Sequence, residues 1–163
     1  MLLKGLVDED FVNYKLPSMF IICPSCNFKC DKMHGKNVCQ NSALATSPNI
    51  EISVKSLVDR YLNNSISKSI VFGGLEPFDS IEDVINFIHL LRDVYLCQDD
   101  IVIYTGYTED EVEEFFENYL DYLKNSSNII IKYGRFIPNQ PSHMDNILGV
   151  KLHSDNQYAK KIS

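Results

Sequence analysis

The chain has 163 residues, 45% of them hydrophobic and 23% charged, an ordinary globular balance that excludes a disordered tail or a disulfide miniprotein. This length suits one domain spanning 1–163 and falls short of the roughly 200 to 250 residues of a full eight-unit α/β barrel. A net charge of -7 excludes a partner nucleic acid held by clustered Lys and Arg, because that mode depends on releasing counterions from phosphates.

Met1 to Asp10 carries one lysine, a short apolar run and then acids, and no later stretch approaches a membrane-spanning length of apolar residues. A cytoplasmic protein with no membrane association is expected. After a polar, hairpin-like start, Ser18–Ile22 reads as a short buried strand that delivers a group of cysteines at its C-terminal end. Ser53 to Asn63 then sets Val54, Leu57, Val58, Tyr61 and Leu62 at helical spacing. The apolar strand Ser69–Phe72 follows and is halted by Gly73-Gly74. Asp79 or Ser80 caps a helix carrying Ile81, Val84, Ile85, Ile88 and Leu91, and Asp100–Tyr104 reads as the next strand. Thr108 with Glu109, Asp110 and Glu111 is a helix start, since acids in the first turn offset the positive helix end. That helix is predicted to run toward Leu123, before a strand over 128–132. From Tyr133 the tail reads as irregular, with a short apolar segment over 147–152.

Helices alternating with apolar strands imply a parallel sheet, so the fold class is α/β, a shortened architecture. In such sheets the ligand site gathers at the carboxyl ends of the strands. Three unusual loops sit at such ends: the cysteine loop, Gly73-Gly74-Leu75-Glu76-Pro77, and Thr105-Gly106-Tyr107-Thr108. They are expected to converge on one site.

Four of the five cysteines, Cys23, Cys26, Cys30 and Cys39, fall in one short span at intervals C-x2-C, C-x3-C and C-x8-C. In a reducing cytosol such a group is metal-binding or catalytic rather than disulfide-bonded. Three thiolates hold three corners of a cubane iron–sulfur cluster and leave the fourth iron open, whereas four close it. Four cysteines also suit a structural zinc. Cys97, alone at the end of an apolar helix, reads as a small buried hydrophobe. Gly73-Gly74 lets backbone approach a ligand closely, and Glu76 supplies a carboxylate suited to an ammonium group. Taken alone, each of these loops is equally a plain turn or helix entry.

In order along the chain, Cys26-Asn27-Phe28-Lys29-Cys30, Cys39-Gln40-Asn41 and Gly73-Gly74-Leu75-Glu76-Pro77 resemble the radical S-adenosylmethionine (SAM) superfamily. There a C-x3-C-x2-C loop binds a [4Fe-4S] cluster and a G-G-E-P loop holds the methionine part of SAM. Tyr104-Thr105-Gly106-Tyr107-Thr108 resembles the W-T-G-Y segment of anaerobic ribonucleotide reductase activating proteins. Tyr133-Gly134-Arg135-Phe136-Ile137 resembles that family's D-G-P-F-I, and Ser154-Asp155-Asn156-Gln157 its S-S-N-Q. Two departures stand out: an interval of x8 where the family has x2, as though 31–38 contained an insertion, and an extra Leu75 before Glu76.

The resemblance implies a shortened, partial parallel β/α barrel of radical SAM type. It implies a [4Fe-4S] cluster on Cys26, Cys30 and Cys39, with Cys23 as an alternative ligand. That choice keeps the C-x3-C interval and sets Asn41 two residues after the third cysteine, as in the family's C-x-N. His34, in the inserted stretch, is either a solvated loop residue or a cluster contact. SAM would lie against Gly73, Gly74, Glu76, Thr105 and Tyr107. The implied activity is reductive cleavage of SAM and hydrogen abstraction from a glycine of a large glycyl radical enzyme subunit, the anaerobic ribonucleotide reductase. An electron donor such as flavodoxin or ferredoxin is implied with it. The alternatives are a radical SAM enzyme acting on another protein, peptide or nucleoside, and a non-catalytic binding module stabilised by zinc on Cys23, Cys26, Cys30 and Cys39.

Overall fold

The computed structural model describes residues 1–163. Ten strands occur, β1 (Leu2–Leu3), β2 (Gly5–Asp10), β3 (Ser18–Ile22), β4 (Ile50–Glu51), β5 (Ser69–Gly73), β6 (Asp100–Tyr104), β7 (Ile129–Tyr133), β8 (His143–Asp145), β9 (Val150–Leu152) and β10 (Tyr158–Lys161). Five α-helices occur, α1 (Lys29–His34), α2 (Val54–Leu62), α3 (Ile81–His89), α4 (Glu109–Phe115) and α5 (Glu117–Asn125). The main sheet runs β10-β7-β6-β5-β3-β2. Its four middle strands are parallel and its two edge strands antiparallel to them. The sheet is open, with β2 and β10 as free edges. No helix is long and apolar enough to cross a membrane.

Each parallel step crosses through the helices read from the 3.6-residue spacing: α2 between β3 and β5, α3 between β5 and β6, and the α4–α5 pair between β6 and β7. Their apolar stripes, including Leu57 and Val58, Val84 and Phe87, and Leu120 and Leu123, pack on one sheet face in the larger core. Phe72 and Phe87 meet edge-to-face there, with centroids 5.3 Å apart. Ser53 caps α2 by accepting from the Ser56 N–H, and Thr108 and Glu111 form a reciprocal capping box on α4.

One helix was expected from Thr108 toward Leu123, but the backbone breaks at Phe116, where φ is -131° and ψ 25°. The break turns the Phe116 ring onto Phe78 at 5.0 Å and Tyr107 at 5.3 Å. Tertiary packing outweighs helical continuity here. The tail, expected to be irregular, is ordered by pairing: β10 lies antiparallel on the distant β7, and β8 pairs with β9 as a local hairpin. Asp145 accepts from the N–H groups of Ile147, Leu148 and Ala159, tying hairpin and edge strand together. Leu148 and Leu152 then cover the second sheet face against Val71, Val102 and Ile130. Cys97, expected to be buried, is only half-buried at the edge of the larger core.

Candidate functional site

Strand register decides what stands above the second core. One layer of that face is Val71, Val102 and Ile130, sealed from solvent. Two residues further along each strand the same face presents Gly73, Tyr104 and Lys132. Tyr104 and Lys132 of this layer floor a cavity of about 390 Å³ at the carboxyl ends of the parallel strands, whereas Gly73, expected at the site, does not line it and is covered by Phe20 and Tyr104. Cys26, Cys30, Cys39, Gly74, Glu76, Thr105 and Tyr107 all line it, so the three loops converge as expected.

Gly74 is required by two constraints at once. Its φ is +77°, and a Cβ there would lie 2.5 Å from Ile22 Cγ2. The extra Leu75 is buried, and the chain returns at Glu76, whose N–H donates to the Ser25 carbonyl and so pins the glycine loop to the cysteine loop. Glu76 is 6% exposed. Its Oε1 accepts from Thr105 Oγ1 at 2.7 Å and Phe78 N–H at 3.1 Å, and its Oε2 from Gly106 N–H at 2.8 Å. Burial outweighs these donors and pushes the carboxyl up to about 7.

Thr105 and Tyr107 act as braces. Thr105 Oγ1 also accepts from the Tyr107 N–H, and the Tyr107 hydroxyl donates to Asp79 Oδ1 at 2.9 Å while accepting from Asn27 Nδ2 at 2.8 Å. Asp79 Oδ2 takes the Asn27 N–H at 2.9 Å. Asp79 therefore fixes the backbone immediately after Cys26. Glu111 ties a third edge: it accepts from Lys29 at 2.9 Å, Arg135 at 2.7 Å and the Thr108 N–H at 2.9 Å. Its burial would raise the carboxyl, but these donors together hold it near 2.

The sequence marks Asp79 and Glu111 only as helix-start residues and Lys132 not at all; the fold shows their use in the site, and neither Asp79 nor Ser80 caps α3, because the Asp79 carboxylate is taken by Asn27 and Tyr107. Lys132 is 6% exposed, and its ammonium donates to the Gly134 carbonyl at 2.7 Å. Burial pulls it down to about 7, against the favourable field of Glu76.

The cysteines divide. Cys23 is 0% exposed and packs in the larger core, its thiol pushed up to about 12 by burial and by the charge of Glu76. Burial likewise pushes Cys26 to about 12, and burial with the neighbouring Cys39 pushes Cys30 to about 11. His34 turns away from the cavity, its Nδ1 2.9 Å from the Cys30 carbonyl oxygen. Asn41 lines the cavity, as does His153, which no sequence pattern marked.

No three His, Cys, Asp or Glu side chains stand close enough to share one metal ion. Three thiols set around a cavity suit a multi-iron group, whose corners are separate atoms, better than one tetrahedral ion. Thiols gathered at the strand ends of an open α/β sheet define a protein built to hold a cofactor. A family model described as a 4Fe-4S single cluster domain matches residues 18–158, from the start of β3 to the start of β10, and the chain belongs to that family. No curated protein and no solved structure matches the chain.

Proposed function

We propose that this 4Fe-4S protein is a radical SAM activase. It would cleave SAM reductively and generate a glycyl radical on the large subunit of an anaerobic ribonucleotide reductase, the open sheet serving as a shortened β/α barrel. The observation that carries the reading is the sharing of one cavity by Cys26, Cys30 and Cys39 with Gly74 and Glu76. The cluster, when bound, supplies the electron for cleavage. Cys26, Cys30 and Cys39 would hold it, leaving Cys23 in the core. A zinc module using Cys23 would have to draw that thiol out of its packing.

The chain's own groups then have distinct tasks. Glu76 would take the ammonium of SAM's methionine end; an ammonium beside it repays the burial that now raises its carboxyl. Thr105 and the Gly106 N–H aim that carboxylate, and Gly74 turns the loop at its left-handed φ with Ile22 packed where a Cβ would stand. Asp79, Asn27 and Tyr107 hold the cysteine loop against the glycine loop. A protein substrate would lie over the mouth of the cavity that the three loops share.

The test is anaerobic reconstitution with iron and sulfide, followed by EPR of the reduced protein with and without SAM, on the wild type, Cys23→Ser and Cys39→Ser. The expected result is a cubane signal that shifts with SAM, survives Cys23→Ser and is lost in Cys39→Ser. A glycyl radical doublet on mixing with the reductase subunit and SAM would establish the substrate. A cluster indifferent to SAM sinks the activase reading.

A further inference from the structure

The eight-residue interval between Cys30 and Cys39 is long, yet the two thiols are neighbours. The means is visible in the backbone. Asp31 lies in α1, beside Cys30, and its Oδ1 accepts from the Val38 N–H at 2.8 Å and from the Cys39 N–H at 2.8 Å. The same oxygen lies 3.8 Å from Cys30 Sγ. One carboxylate oxygen thus gathers both ends of the interval.

The residues between form an outward excursion. Helix α1 stops at Gly35, whose φ of +62° reverses the chain and whose absent Cβ would meet nothing within 4 Å, so the glycine is there for backbone sign alone. Lys32, Met33, Lys36 and Asn37 are exposed, Met33 to 66%. None of the residues from 32 to 37 lines the cavity. Asp31 reaches seven and eight residues forward, beyond the reach of a helix cap or an Asx turn, so this contact is specific to the loop.

We propose that Asp31 is a positioning residue: its carboxylate clasps the base of the excursion and sets Cys39 beside Cys30, so that a long interval presents its thiols as a short one would. This rests on the reading of Cys26, Cys30 and Cys39 as the cluster's ligands. The clasp works as an acceptor rather than as a charge. Asn, with a carbonyl oxygen in the same place, should replace it; Ala should not. Without the clasp the interval is a flexible loop, and Cys39 must be ordered at the moment the cluster binds.

The experiment compares wild type, Asp31→Ala and Asp31→Asn in two ways. Amide hydrogen exchange on the cluster-free chain should show Val38 and Cys39 exchanging about tenfold faster in Asp31→Ala and at the wild-type rate in Asp31→Asn. Iron per chain after reconstitution should fall about threefold or more in Asp31→Ala, with Asp31→Asn retaining the wild-type content and EPR line shape. Unchanged exchange in Asp31→Ala, or full iron content despite faster exchange, overturns the proposal. So does an Asp31→Asn chain that behaves like Asp31→Ala. A wild type that takes up no cluster defeats the activase reading itself, and the assignment of Asp31 to ligand positioning falls with it, whereas the exchange data still show whether the clasp exists.

Discussion

Replacing Lys132 by Met should change how stability depends on pH. The lysine is buried, and its ammonium has one acceptor, the Gly134 carbonyl. Its folded pKa is lowered from 10.5 to about 7. The sign follows from proton counting: between those values the unfolded chain holds the proton and the folded chain has shed it, so stability rises with pH. The slope approaches ~1.4 kcal/mol per pH unit, and from pH 7 to pH 8.5 the lysine contributes about 1.6 kcal/mol of that rise. Met matches the apolar stem and never titrates; it loses the hydrogen bond, worth about 1 kcal/mol, together with the ammonium's contact with the Tyr104 ring and the field of Glu76. Glu76, raised to about 7, completes its titration in the lower part of this window and opposes the trend in both chains, whereas the raised thiols of Cys26 and Cys30 lie above it. Urea unfolding of wild type and Lys132→Met under reductant at three pH values across the window isolates the lysine as a difference. The wild type should gain on the variant by about 1.6 kcal/mol, with Lys132→Met the more stable chain at pH 7. Parallel stability curves would refute the reasoning.

Other perturbations should separate the site's parts. Glu111→Gln removes a carboxylate held near 2, so the wild type should lose stability relative to the variant as pH falls from about 4.5 toward 2, read by acid unfolding. Gly74→Ala meets both a left-handed φ and the Ile22 side chain, and should cost about 2 to 4 kcal/mol in denaturant unfolding, against little for Gly35→Asn, where there is open space. Phe116→Ala opens a gap between Phe78 and Tyr107 and should cost about 2 to 4 kcal/mol; a loss under 1 kcal/mol would mean the ring does not hold the α4–α5 break. Excising Lys32 to Asn37 joins Asp31 to Val38 and restores a C-x2-C interval. The shortened chain should still take up its cluster, and a folded but iron-free product would count against the excursion lying outside the ligand geometry.

The four parallel strands were legible to within a residue or two because strands buried on both faces read as continuous apolar runs. Helix starts at Ser53 and Thr108 were legible through their capping side chains. The tail strands were not: β8 and β9 have three residues each and are held by Asp145 and by packing on the second sheet face, while β10 carries Lys160 and Lys161 and gains its order from the distant β7. The gathering of thiols with the glycine loop followed from strand ends alone. Which acids brace it did not: Asp79 and Glu111 read only as helix-start residues and Asp31 as one acid among 22, and the partners that make them braces are brought to them by the fold.

The second core, with Val71, Val102 and Ile130 sealed beneath Tyr104 and Lys132, gives the cavity its floor. Strand β9 of the tail hairpin enters the same wall, with Val150, Lys151 and Leu152 lining the cavity that the three thiols share. The segment least legible in the sequence is thus part of the vessel, and a change in the hairpin will be felt by whatever occupies the site.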